Sequence, residues 1–354
     1  MEKFDTIDQN FHVDTKIEKD DIKFYSPLQP PFSIHGVFYE GDRYRRLPEQ
    51  VARETSPGVL GLHAHTAGGR VRFRTNSHYI AIHAVLDHIP KMPHFAITGV
   101  AGFDIYEEID GKAHYLSTFM PPFHVVDTFE NVVNLPGEGE RDYLIHFPLY
   151  SEVKALYIGL EDRAVVSSPA PYPYQKPVVY YGSSITQGGC ASRPGNAYEN
   201  IISRRLGCEH LNLGFSGNAK GEERMAQYIA GLDMSIFVLD YDFNAPTPEH
   251  LEQTHERFFT IVRKAHPDMP IILLSRPQCK LDEVWTRRRR IIEQTYQNAL
   301  RKGDKNVYFI PGEELMKWAE DEGTVDTVHP TDYGFFSMAK VVGDLLLTLL
   351  PTTK

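Results

Sequence analysis

Up to about residue 165 the apolar residues come in short runs that fill every second position. Residues 69–75 (GRVRFRT), 79–85 (YIAIHAV), 102–106 (GFDIY), 141–147 (RDYLIHF) and 153–159 (VKALYIG) alternate or are rich in β-branched and aromatic residues, with Gly, Pro and Asn between them. That is the pattern of half-buried strands. Helical periodicity does not intervene, so residues 21–166 are predicted to form an all-β sandwich of jelly-roll type. The first 20 residues are polar and acidic and read as an N-terminal arm. Residues 167–177 (SSPAPYPYQKP) hold four prolines. Such a run continues neither a sheet interior nor a helix, and it is read as a linker.

Beyond it the pattern changes. Short apolar strands at 178–181, 210–215, 236–240, 271–274 and 307–310 alternate with helical stretches at 196–206, 222–230, 248–266 and 282–302, and two further helices end the chain. This predicts an α/β domain over residues 178–354, with a five-stranded parallel sheet and helices on both faces. Loops that carry function in such sheets lie beyond the carboxyl ends of the strands.

Three of those ends are suggestive. The first runs into Gly182-Ser183-Ser184-Ile185-Thr186, where a serine beside glycine at a strand-to-helix turn can expose its hydroxyl next to free backbone N–H groups. Ser183 competes with Ser184 for that position. The second ends in Gly214-Phe215-Ser216-Gly217-Asn218, where Gly217 lets its backbone N–H approach a substrate. Ser216 lacks the G-x-S-x-G setting of a nucleophile elbow and is read as structural. The third ends in Asp240-Tyr241-Asp242-Phe243-Asn244, whose final amide is a second possible oxyanion donor, or else a cap ahead of Pro246 and Pro248. Near the C-terminus, Asp326 precedes His329 by three residues. On one loop that carboxylate can reach Nδ1–H and leave Nε2 to take a serine proton.

These four blocks, in this order over residues 178–350, resemble those of the SGNH/GDSL hydrolases, esterases with an α/β/α fold and a Ser–His–Asp triad. Residues 102–106 similarly resemble the G-x-D-L-Y motif of β-sandwich domains that precede some SGNH esterases. The resemblance implies Ser184 as nucleophile, His329 as general base and Asp326 as its orienting partner. It implies an oxyanion hole from the N–H groups of Ser184 and Gly217 and the side chain of Asn244. Two blocks depart from the family pattern: Ser183 stands where the family has aspartate, and the Asn244 block lacks the usual glycine and following aspartate. The implied activity is hydrolysis of carboxylic esters with short acyl chains, O-acetyl groups on carbohydrate among them. An acyltransferase with the same triad and a silent carbohydrate-binding protein are the alternatives; a lipase is disfavoured because no amphipathic lid is evident.

Composition narrows the partners. The formal net charge is −10, with 16 Lys/Arg against 24 Asp/Glu up to residue 175 and 21 against 23 after it. Neither half offers the basic surplus of a nucleic-acid binder. The apolar run at 341–350 is broken by Asp344 and is too short to span a membrane. With no signal-like start, a cytoplasmic location is expected. The expected partner is a small-molecule or carbohydrate ester, with no cofactor and no metal. Cys190, Cys208 and Cys279 are too scattered for a disulfide framework, and only Cys190 lies near Ser184. His63 and His65 would share one face of a strand as a possible metal pair, with ordinary packing histidines the preferred reading. Arg287 to Arg290 read as a solvated, salt-paired helix face.

Overall fold

The computed structural model describes residues 15–351 apart from 138, 279 and 281. The expected arm therefore lies mostly outside the described residues, and Cys279 lies outside them altogether.

The first half is a sandwich of two antiparallel sheets. One has the order Ile22–Tyr25, Glu152–Glu161, Tyr79–Asp87, Thr128–Asn134. The other runs Val166–Ser167, Arg70–Thr75, Arg141–His146, Phe103–Ile109, Lys112–Phe119, with Ser33–His35 also paired to Arg70–Thr75. Every second residue points inward: Ile80, Ile82, Ala84 and Leu86 from one sheet meet Val71, Phe73, Phe103, Ile105, Tyr143 and Ile145 from the other. Three short helices, Glu49–Thr55, Pro57–Leu62 and Ile97–Val100, interrupt what reads in sequence as uniform strand and loop. None is long enough to repeat a 3.6-residue period; Pro57–Leu62 depends on the Ser56 side chain capping the Val59 N–H.

The proline-rich segment is only partly a connection. The first parallel strand, Tyr174–Gly182, already includes Pro177. Its pairing with Cys208–Gly214 jumps from Tyr174↔Cys208 to Val178↔His210, so the missing proline N–H falls where the ladder is interrupted. Tyr172, ahead of it, is buried with the Arg72 guanidinium 4.1 Å above its ring.

The parallel sheet has the order Cys208–Gly214, Tyr174–Gly182, Ile236–Asp240, Ile271–Leu274, Val307–Ile310. Val178 and Tyr180 pack on the face that holds Asp332–Leu349; Val179 and Tyr181 pack on the opposite core with the helices Glu223–Ala230, Pro248–Ala265 and Glu283–Arg301. Burial on both faces explains why these strands read as unbroken apolar runs. The first strand lies between the second and the third, so the strand order reverses at it, the place where ligands bind in sheets of this kind. Among the described residues, no helix is long and apolar enough to cross a membrane.

The sandwich and the parallel-sheet unit share one apolar core, and Asp104 fastens them. It is fully buried and accepts hydrogen bonds from the Gly195 N–H, Arg193 Nη1 and His146 Nδ1, each at 2.8 Å. Burial alone would raise its pKa, but His146, Arg193 and Arg204 hold it below the ordinary carboxylate value. Tyr106 adds its ring to the guanidiniums of Arg193 and Arg204, 5.4 and 4.0 Å from its centroid. The aspartate and tyrosine of residues 102–106 are thus a clamp on the 193–195 turn. Asp104→Ala should cost about 3–5 kcal/mol of stability, because it strands the partly buried Arg193 guanidinium and leaves the N–H groups of buried His146 and Gly195 without an acceptor. Asp142→Ala, which removes one partner of the half-exposed Arg74 and leaves Glu140 as the other, should cost under about 1 kcal/mol. Urea midpoints of the two variants check the difference.

Candidate active site

The first strand stops at Gly182 because nothing larger fits. A Cβ there would lie 2.1 Å from Thr186 Oγ1 and 2.3 Å from the Asp240 carbonyl; at Gly214, in the next strand, it would lie 2.3 Å from the Gln187 nitrogen. The turn that follows is wedged between strand ends and closed by Gln187 N–H to Ser183 O (3.0 Å) and Gly189 N–H to Ser184 O (2.8 Å). Its two serines part company. Ser183 is buried, donates its N–H to the Asp240 carbonyl and accepts the Ile185 N–H on Oγ at 3.1 Å. Ser184 turns its Oγ outward, 3.0 Å from His329 Nε2. Of the two, the Ser183 hydroxyl is taken up within the turn, and the Ser184 hydroxyl is the one that meets an imidazole.

His329 comes from the loop after the helix Gly312–Leu315 and the short turn Glu320–Gly323. Its Nδ1 lies 2.8 Å from Asp326 Oδ2, while Asp326 Oδ1 accepts the N–H groups of Val328 (3.0 Å) and His329 (2.7 Å). Burial pushes the Asp326 pKa up, yet these donors and the imidazole hold it below its ordinary value. An ionised carboxylate can only accept, so Nδ1 carries the proton and Nε2 presents a lone pair to the Ser184 hydroxyl. Ser184, His329 and Asp326 are therefore joined in one hydrogen-bonded series.

Gly217 and Asn244 are not hydrogen-bonded to that series. They stand on the neighbouring strand ends, tied to each other through Phe215, whose carbonyl accepts Asn244 Nδ2 at 3.0 Å. This leaves the second amide hydrogen of Asn244 unused. Gly217 adopts φ +70° with open space around its Cα. Among the described residues, neither its N–H nor that of Ser184 makes a hydrogen bond.

Several residues that build the site were not apparent in the sequence. Gln187 is fully buried; its Oε1 accepts the Ser216 N–H (2.9 Å) and its Nε2 donates to the Leu149 carbonyl (3.2 Å), so one amide joins the serine turn, the Gly217 turn and the sandwich. Tyr150 donates its hydroxyl to Ser184 O at 3.3 Å. Arg276, stacked on Phe243 (4.5 Å) and Trp285 (4.0 Å), donates to the carbonyl of Thr327, which holds a left-handed φ of 68° within the Asp326–His329 loop. Leu149 and Tyr150 belong to the sandwich half, which therefore forms part of the site wall. Beneath the turns lie two buried acids. Burial, with Asp242 nearby, pushes Asp240 up to about 7, and burial pushes Asp242 up to about 6.

Two sequence expectations are corrected. His63 and His65 do not share a strand face: His63 ends the helix Pro57–Leu62 and bonds Leu60 O, whereas His65 Nδ1 pairs with Gln187 Nε2. The arginine run is not wholly solvated. Arg287 and Arg289 pair with Glu249 and Glu313, but Arg288 is buried and donates Nη1 to the Asp242 carbonyl at 2.6 Å. A helix face read from charge alone gives no sign that one of four arginines is needed to satisfy a buried carbonyl.

Residues 175–346 match the GDSL-like lipase/acylhydrolase family, and residues 22–166 match the N-terminal domain of SGNH-hydrolase-type esterases that carries the G-x-D-L-Y motif. A protein of Bacteroides ovatus described as a GDSL-like lipase is 30% identical, with a TM-score of 0.84 over 94% of this chain and 100% of its own. The chain belongs to the GDSL-like lipase/acylhydrolase family. It is an SGNH-type esterase, a GDSL-like enzyme with an N-terminal β domain. Its fold is also that of a salicylyl-acyltransferase from a tetracycline biosynthetic pathway (20% identity, TM-score 0.76, 95% of this chain and 100% of that one). A family two carbohydrate esterase from Clostridium thermocellum, solved with cellohexaose, shares it as well (14% identity, TM-score 0.61, 90% and 98%). No curated protein matches this GDSL-like chain.

Two outcomes follow from this packing. Gly189→Ala would set a methyl 2.8 Å from the Tyr150 hydroxyl, 3.0 Å from Ser184 O and 3.4 Å from His329 Cδ2. It should cut kcat on p-nitrophenyl acetate by about 10²-fold through misplacement, with the fold retained by circular dichroism. The raised Asp240 pKa means that the native state holds a proton the unfolded chain releases above 3.8, so stability should fall as pH rises from about 4 to 7. Asp240→Asn should flatten that part of a stability-versus-pH curve measured by urea unfolding.

Proposed function

We propose that this protein cleaves short-chain esters carried on carbohydrate through an acyl-enzyme on Ser184. The observation that carries the reading is the 3.0 Å approach of Ser184 Oγ to His329 Nε2, backed by the 2.8 Å contact of Nδ1 with Asp326. Ser184 Oγ attacks the ester carbonyl while His329 Nε2 removes its proton, and the Asp326 carboxylate stabilises the imidazolium. Negative charge on the carbonyl oxygen is taken up by the N–H groups of Ser184 and Gly217 and by the unused amide hydrogen of Asn244. Those donors come from the ends of three neighbouring strands of the parallel sheet, and backbone and amide N–H groups held there would act as fixed dipoles. His329 then protonates the leaving alcohol and activates the water that releases the acid.

The carbohydrate alcohol is supported by two features. The histidine and aspartate side chains remain 22% and 35% exposed, an open rim that suits a bulky polar leaving group better than a buried acyl tunnel would. The half-exposed Tyr333, which donates to the Trp318 carbonyl, follows the His329 loop closely and offers an aromatic face of the kind sugars stack on. The esterase solved with cellohexaose has the same two-part fold, and its sugar ligand is the source of the analogy.

Ser184→Ala should lower kcat on acetylated xylo-oligosaccharides by at least about 10⁴-fold. Asn244→Ala should lower it by about 10²–10³-fold. A fluorophosphonate probe read by mass spectrometry should label Ser184 and no other residue. An unlabelled Ser184 would favour a silent binding protein, and acyl transfer to an added alcohol in preference to water would make the enzyme an acyltransferase.

A further inference from the structure

Beside the series described above lies a cluster that the proposed hydrolysis does not use. His94, from the loop ahead of the helix Ile97–Val100, brings its ring 5.6 Å from that of His329. Cys190, from the turn after Ser184, completes the group: one ligand atom from each of His94, Cys190 and His329 lies within 4.8 Å of the others. Among the described residues no other three His, Cys, Asp or Glu side chains converge this closely.

We propose that His94, Cys190 and His329 form a binding site for a thiophilic divalent cation of the zinc class, and that its occupation switches the esterase off. Two imidazoles and a thiol are the donor set that zinc selects over magnesium or calcium, which prefer oxygen. Asp326 already holds Nδ1 of His329, so the atom left for a metal is Nε2, and a carboxylate behind a coordinating imidazole is the usual outer support of a zinc histidine. Zinc–nitrogen and zinc–sulfur bonds of about 2.0–2.3 Å require the ligand atoms to close in from their present spacing. His94 can supply that movement, being exposed and engaged in no hydrogen bond among the described residues. The thiol would bind as thiolate, releasing its proton, and water would fill the fourth position. A metal on Nε2 occupies the lone pair that otherwise faces the Ser184 hydroxyl 3.0 Å away. Because the three ligands come from both halves of the chain, the ion would also pin the sandwich loop to the His329 loop.

The switching half of this proposal rests on His329 being the base; the binding half does not. The test therefore reads both. Zinc is titrated into the full-length, metal-free protein by calorimetry, and cobalt(II) is added separately to look for a thiolate-to-cobalt charge-transfer band. Hydrolysis of p-nitrophenyl acetate is followed at the same zinc concentrations. The expected result is one zinc per chain, a cobalt band that Cys190→Ser abolishes, and affinity at least ~10-fold weaker in both Cys190→Ser and His94→Ala. Inhibition should track occupancy and weaken in parallel, magnesium should do nothing, and both variants should hydrolyse normally without metal. Zinc affinity unchanged in both variants, or no binding at millimolar zinc, overturns the site. Binding that depends on both residues but leaves hydrolysis untouched overturns the switch and keeps the site. If Ser184→Ala also hydrolyses normally, it is the esterase reading that has failed.

Discussion

The architecture of the site depends on how closely the backbone can pack where the first two parallel strands end. Gly182 and Gly214 leave no room for a side chain, so the turn carrying residues 183–187 lies directly against the neighbouring strand ends. That contact forces Ser183 inward, where the turn consumes its hydroxyl, and leaves Ser184 as the serine that can face a partner. It also brings Gln187 to a point where one buried amide reaches the sandwich and the Gly217 turn together. A methyl at either glycine would push the turn outward and separate all of these.

The second constraint is electrostatic. Cations enter the interior here where a carbonyl or carboxylate needs them: Arg193 at Asp104, Arg276 at the Thr327 carbonyl, Arg288 at the Asp242 carbonyl. Each also lies over an aromatic ring, Arg193 over Tyr106, Arg276 over Phe243 and Trp285, and Arg288 over Trp285, which compensates part of its lost hydration. The guanidiniums join segments that the sheet alone would leave independent. In this way the G-x-D-L-Y-like segment of the sandwich, far from Ser184 in sequence, determines where the 193–195 turn lies.

The sandwich is accordingly a structural part of the enzyme and not an appendage. Leu149 and Tyr150 abut the serine turn, and His94 stands beside His329. A domain in this position can shape what reaches Ser184, and it sets one imidazole, that of His94, beside His329.

Much of this molecule was legible in its order of residues. Alternation every second residue and the change to strand-then-helix spacing identified the two architectures, because both periodicities arise from a few neighbouring residues. The strands Ile236–Asp240, Ile271–Leu274 and Val307–Ile310 fall where their apolar runs place them. Ser184 and the Asp326–His329 pair were legible because strand ends and a three-residue spacing are local features. The short helices, the inward turn of Arg288, the role of Gln187, the sandwich wall and the His94–Cys190–His329 cluster were not. Each depends on segments brought together only when the core closes, and closure is directed by apolar burial that carries these polar groups with it. The long periodic elements and the chemically capable side chains could be read from local order along the chain; the short helices, and which polar groups meet, follow only from how the closed core brings distant segments together.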